Sequence, residues 1–126
     1  MNFKQFDLIL ELQKTGIKHS PDKIIRITKT TDNRIIFLEE GNPDSGLQHI
    51  IENHGIRFVN QGISLEEIPD VIMIAITTGE IVGMQGKKHL TPRIIYRYNF
   101  NNMIKYIAIQ IGSNGYIVSA NPRSSN

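Results

Sequence analysis

The groups best suited to chemistry sit in one stretch, Ser45-Gly-Leu-Gln-His-Ile-Ile-Glu-Asn-His-Gly55. It carries His49 and His54, two of the four histidines in the chain. Histidine titrates near neutral pH and can serve as acid or base. At i, i+5 on a helix the two rings leave the axis roughly 140° apart. They therefore point different ways and cannot share a metal as an i, i+4 pair can. The other histidines, His19 and His89, have no spacing that argues for a metal site, and no metal ligand or cofactor is assigned. There is no Gly-x-Gly-x-x-Gly, no P-loop and no Ser-flanked nucleophile elbow.

What these residue types can do is cleave RNA without a metal. That reaction needs a base for the ribose 2′-hydroxyl, an acid for the leaving 5′-oxygen, and cations or donors for the charge building on the phosphate. His49 lies off the apolar stripe and is free to face a cleft, although a surface histidine would look the same. His54 lies on the stripe, where a core histidine bonded to a backbone group is the plainer reading. Arg93, Arg97, Lys105 and Ser119 are polar positions among apolar strand neighbours, and each could simply face water. Tyr96 and Tyr98 share a strand face and could stack bases, though strand tyrosines commonly pack. Lys87, Lys88 and His89 could grip phosphates from a loop, or be solvated there.

These side chains need elements to hold them. Ser45 suits an N-cap, and Gln48 three residues on completes a capping-box pattern. Gly55 suits a C-terminal stop, and Leu47, Ile50, Ile51 and His54 form one stripe for a core. The spacing predicts a helix over residues 1–14, with Gly16 and Ser20-Pro21-Asp22 as turn chemistry. Residues 23–29 alternate, residues 34–39 read as a second strand, and with the tight turn Thr31-Asp32-Asn33 between them they read as a β-hairpin. In the first strand Ile24, Arg26 and Thr28 share one face and Ile25, Ile27 and Lys29 the other. Residues 56–62 read as an irregular connection. Ser64–Glu67 repeats the capping-box pattern, and proline at Pro69 suits the start of a second helix. Residues 71–76 are apolar on all sides, with the flanking Pro69 and Gly79 favouring helix. Residues 80–84, 93–99, 103–111 and 115–120 read as four strands of a meander, with turns at Phe100-Asn101-Asn102 and Gly112-Ser113-Asn114-Gly115. The expected class is α+β: an N-terminal helix and hairpin, then two helices on a four-stranded antiparallel sheet. Residues 1–22 form a helix and linker, and residues 23–126 the main unit of one compact domain.

Composition sets the outer bounds. The 126 residues suit a single domain with a true core. With no cysteine, disulfides, thiol chemistry and cysteine-ligated zinc are excluded. A net charge of +2 and a pI near 9.0 are compatible with nucleic acid but do not require it. No apolar run approaches about 18 residues, so no membrane-spanning helix is expected. The N-terminal residues do not read as a signal peptide.

Two motifs add a resemblance. The run Gly46-Leu47-Gln48-His49-Ile50-Ile51-Glu52-Asn53-His54 resembles the Gly-Leu-x-His-Ile-x-x-x-His helix of toxin domains in the barnase–EndoU–colicin–RelE-like nuclease superfamily. The closing Gly115-Tyr116-Ile117-Val118-Ser119-Ala120-Asn121-Pro122 is similar to that family's final strand, Gly-x-Ile-Val-(Ser/Thr/Gly)-Ala-x-Pro. The likeness covers about residues 23–124, and the order of elements agrees. It implies a metal-independent ribonuclease, often acting on tRNA or rRNA, with a helix histidine over a sheet. On that resemblance His49 is the general acid or base and Ser119 holds or donates to the phosphate. Lys105 or Arg97 stabilises the phosphorane, and His54 is second choice for a catalytic or structural role. It also implies a cognate immunity protein as partner, and an effector delivered by secretion or from a cell surface into a target cell's cytoplasm. The alternatives are a non-catalytic RNA- or protein-binding domain of the same fold, using the loop 85–92, and a phage-derived enzyme acting on another nucleotide substrate.

Overall fold

The structure, a computed structural model, describes residues 3–86 and 91–125. Helix α1 spans Phe3–Lys14, and its Leu8, Ile9 and Leu12 are buried. They share a cluster with Ile24, Ile27 and Phe37 of the hairpin. The hairpin strands are β1 (Ile24–Lys29) and β2 (Ile35–Glu39). They pair antiparallel, with a bulge between Ile24 and Arg26. The bulge changes the expected facing. Strict alternation sets Ile24 and Ile27 on opposite faces, but one extra residue rotates the strand so that both are buried toward α1. β2 is apolar on both sides because it is shared. Phe37 enters the α1 cluster, while Ile36 and Leu38 enter the main core.

The central helix α2 runs Gly46–Asn60, beyond the expected stop at Gly55. The apolar stripe continues to Phe58, which is fully buried, and so the backbone continues with it. Gly55 lies inside the helix because the Leu65 side chain packs directly on it. The true stop is Gly62, whose φ of 81° is left-handed and whose N–H bonds the Val59 carbonyl at 3.0 Å. A 3-10 turn at Leu65–Glu67 then leads into α3, Ile68–Thr78. The apolar run 71–76 is therefore helical, with Val71, Ile72, Ala75 and Ile76 buried.

Strands β3 (Glu80–Gln85), β4 (Arg93–Phe100), β5 (Met103–Ile111) and β6 (Ile117–Arg123) form the large sheet, in that order. Every neighbouring pair is antiparallel. α2 and α3 cover one face, with Ile50, Phe58, Ile68 and Ile72 in one core with Tyr96, Tyr98, Ile107, Ile109 and Ile117. This is the expected α+β arrangement. The other face carries three rows that follow from the register: Gln85-Arg93-Gln110-Ser119, Gly83-Ile95-Ala108-Asn121, and Glu80-Arg97-Tyr106-Arg123. Bulges interrupt β3 between Ile81 and Gly83, and β6 beside Gln110 and Ile111. Bulges bend and twist a sheet, and here it curls. Arg123 on one edge strand reaches Gln85 on the other, Nη1 to Oε1 at 3.1 Å. The face away from the helices is therefore concave. Among the described residues no helix is long and apolar enough to cross a membrane.

Candidate active site

The site forms where the first turn of α2 runs along β6, the edge of the sheet. The bulge in β6 places Ile117 in the core and Ser119 on the concave side, opposite Gln110. His49, off the apolar stripe of α2, comes round that edge. Its Nε2 lies 3.1 Å from the Ser119 hydroxyl. Ser119 is 1% exposed and is the one buried polar residue among those described. A buried hydroxyl needs a partner, and His49 supplies it.

His49 Nδ1 lies between two groups: the Pro43 carbonyl at 3.1 Å, which only accepts, and the Asn53 amide nitrogen at 3.0 Å, which only donates. With hydrogen on Nδ1 the ring donates to Pro43 and turns the Nε2 lone pair toward Ser119, the arrangement a general base requires. With hydrogen on Nε2 the ring donates to the Ser119 hydroxyl and Nδ1 accepts from Asn53. The Asn53 amide also donates to the His49 carbonyl at 3.0 Å. The Pro43 carbonyl is itself positioned: the Asn42 side chain accepts from the Asp44 and Ser45 N–H groups at 2.8 and 3.2 Å.

The helix start differs from the capping box expected of it. Ser45 occupies the N-cap but makes no side-chain cap bond. Its hydroxyl meets the Tyr116 hydroxyl at 2.8 Å instead. The Gln48 N–H is satisfied by the Glu40 carbonyl at 2.9 Å, and the Gln48 side chain donates to Glu52 at 3.0 Å. Tertiary partners therefore replace the local ones, and they tie the start of α2 to the hairpin and to the approach of β6.

His54 corrects the expectation that the two histidines point apart. Their rings meet edge to face, with centroids 5.9 Å apart and planes at 85°. The wide angle about the helix axis is closed by side-chain length, since both rings lean toward the strands. His54 Nδ1 is buried with no partner. Loss of hydration lowers its pKa below the ordinary histidine value, and Arg57, His49 and Arg93 lower it further. Arg93 stands in the row of Ser119, separated by Gln110, and its Nε is likewise buried and unpartnered. Gln110 donates to the Thr91 carbonyl at 3.0 Å.

His49, His54, Ser119 and Arg93 thus come together, and the remaining candidates stand elsewhere. Lys105 donates to the Gln61 carbonyl at 2.6 Å. That carbonyl is at the C-terminus of α2, about 18 Å along the helix from His49, where a cation complements the helix dipole. Arg97 pairs with Glu80 at 2.8 Å, at the far end of the concave face. The base-stacking expectation for Tyr96 and Tyr98 does not hold, because they are 5% and 2% exposed. The even positions of β4 face the helices, and burial pushes both phenols above their ordinary range. Lys87, Lys88 and His89 lie outside the described residues.

Three contributors escape a reading of the sequence: Asn53, Gln110 and the Pro43 carbonyl. Asn53 follows His49 at i+4, and Gln110 interrupts the apolar run Ile109–Ile111, so both left faint signals. A backbone carbonyl leaves none. Among the described residues no group of three or more His, Asp or Glu side chains is placed to hold a metal. No protein-family model matches the chain, and no curated protein matches it.

Proposed function

We propose that this protein is a metal-independent endoribonuclease with His49 as its general base. The observation that carries the reading is the Pro43–His49–Ser119 chain of contacts, which brings Nε2 to a concave, basic sheet face. In the reaction, a ribose 2′-hydroxyl takes the place of the Ser119 hydroxyl at Nε2 and gives up its proton as its oxygen attacks the adjacent phosphorus. The bond to the 5′-oxygen breaks, leaving a 2′,3′-cyclic phosphate; that oxygen takes a proton from solvent water, and His49 later returns its proton to water. Ser119, released from His49, donates to a phosphate oxygen. The Arg93 guanidinium, which no carboxylate pairs among the described residues, meets the growing charge.

The helix and final-strand resemblance noted above supports the wider reading. The substrate is RNA, with tRNA favoured, and the chain is a toxin domain used in competition between bacteria. It acts in the cytoplasm of a target cell after delivery, and a cognate immunity protein blocks it in the producer.

The test is incubation of wild type and His49→Ala with total tRNA and ribosomal RNA in EDTA, resolved on a denaturing gel. Wild type yields discrete fragments ending in cyclic phosphate, and His49→Ala loses about 10²- to 10⁴-fold in rate. Both ring nitrogens of His49 are engaged within the protein, which favours one competing reading, a structural clasp joining α2 to β6. RNA left intact by the folded wild type, together with a lowered unfolding midpoint for His49→Ala, would establish the clasp and a binding domain instead.

A further inference from the structure

We infer that Arg93 and Arg123 grip one phosphate group between them, in the place the Gln85 amide oxygen now fills. That the phosphate belongs to RNA rests on the ribonuclease reading; the pocket itself rests on the arrangement of these three side chains. Gln85 is the register partner of Arg93 across β3 and β4, so the two side chains stand side by side on the same face. Arg123 starts from the opposite edge strand and ends at the same point, where its Nη1 donates to Gln85 Oε1 at 3.1 Å. Curling of the sheet therefore delivers two guanidinium groups to one place, from strands that a flat sheet would keep apart.

The charges gathered there are uncompensated. In the three rows of the concave face Glu80 is the one carboxylate, and Arg97 takes it at 2.8 Å. Among the described residues no carboxylate pairs with Arg93 or Arg123. The Arg93 Nε is buried without a partner. The acceptors that hold Arg123 are neutral: the Gln85 amide oxygen, and the Ser125 carbonyl at 3.1 Å from Nε. Two like charges drawn to one residue, both half-buried, repel each other, and an anion between them turns that cost into attraction. Phosphate suits the place because its oxygens point to the corners of a tetrahedron, so it can meet the fork of each arginine at once. Gln85 is exposed and its amide oxygen carries no full charge, so a phosphate oxygen displaces it without breaking an ion pair. The pocket adjoins the histidines: the Arg93 charge lowers the pKa of His54, and Arg93 shares a row with Ser119.

The probe is inorganic phosphate, titrated at constant ionic strength into protein isotope-labelled at arginine nitrogen, with the Nε–H resonances followed by NMR. Arg93 and Arg123 should shift along one curve with one Kd, while Arg97, paired with Glu80, stays in place. Arg123→Gln should weaken the binding that Arg93 reports about five- to ten-fold, and Arg93→Gln should do the same to the binding that Arg123 reports. Arg123→Lys keeps the charge and should recover part of the affinity, which separates loss of charge from damage to the fold. Gln85→Ala should bind phosphate at least as tightly as wild type. The inference is overturned by separate curves for the two arginines, by no shift at either, or by an Arg93 curve that Arg123→Gln leaves unchanged. Equal losses in Arg123→Lys and Arg123→Gln, or weaker binding in Gln85→Ala, would overturn it as well. Cleavage of RNA in EDTA is scored separately on the same proteins. One shared phosphate curve with intact RNA would sink the nuclease reading and leave the pocket standing, whereas cleavage by wild type with two separate curves would sink the pocket alone.

Discussion

A neutral histidine acts as a base through whichever ring nitrogen lacks hydrogen, and a partner on the other nitrogen orients the ring. For His49 that partner is the Pro43 carbonyl, held by the Asn42 turn rather than by a carboxylate. His54, at 5.9 Å, has the opposite environment: a buried, unpartnered nitrogen among Arg57, Arg93 and His49. Its folded pKa lies below the unfolded value of about 6.5, so between the two the unfolded chain binds more protons. Stability therefore rises with pH across this window and falls on acidification from pH 7 toward 5. Urea midpoints of wild type and His54→Gln, measured from pH 5 to 7.5, should show a flatter dependence in the variant. Identical slopes would mean that His54 does not titrate as its surroundings dictate.

At the scale of elements, α2 is held by its faces more than by its ends. Its local signals at Ser45, Gln48 and Gly55 all suggested a shorter, self-capped helix. Instead Ser45 bonds Tyr116, and Gly55 accommodates Leu65. A methyl group at Gly55 would come 2.9 Å from the tip of Leu65, a side chain 40% exposed and free to swing away. Gly55→Ala should then recover the helix propensity that glycine forgoes, raising stability by about 0.5–1 kcal/mol in urea unfolding. A loss of more than about 1 kcal/mol would show that Leu65 cannot yield. Lys105 belongs to this scale too, since it stabilises the C-terminal end of the same helix.

Across the whole molecule, the hairpin must be joined to the sheet for the α2 entry and β6 to stay in register. Part of that joint lies just before β6. The Phe37 N–H bonds the Gly115 carbonyl at 3.0 Å, Phe37 bridges Tyr116 in parallel, and their rings meet edge to face at 5.8 Å. Gly115 has a φ of 91°, and an added Cβ would strike the Ile35 carbonyl oxygen, a backbone atom that cannot turn aside. Gly115→Ala should therefore cost at least about 2 kcal/mol. It should also weaken RNA cleavage, because the Ser45–Tyr116 contact that seats the start of α2 shifts with it. A variant with unchanged urea midpoint would show that the hairpin is not anchored there.

The sequence by itself determined what depends on period and on local turns. The α+β order, the four-stranded meander, the helical run 71–76 and the freedom of His49 to leave the core all follow from apolar spacing and from glycine, proline and asparagine at the turns. Tertiary structure decided everything that depends on which surfaces meet. The length of α2 follows from Phe58 finding a core. The common side of Ile24 and Ile27 follows from a bulge, which no alternation pattern announces. The sorting of polar strand residues follows from register: Ser119, Gln110 and Arg93 fall in one row, while Lys105 turns to the helix side and Tyr96 and Tyr98 into the core. Side chains on alternate positions look alike in a sequence. They become a site or a scaffold only when the partner strand and the packed face are known, because a shift of one residue exchanges the two.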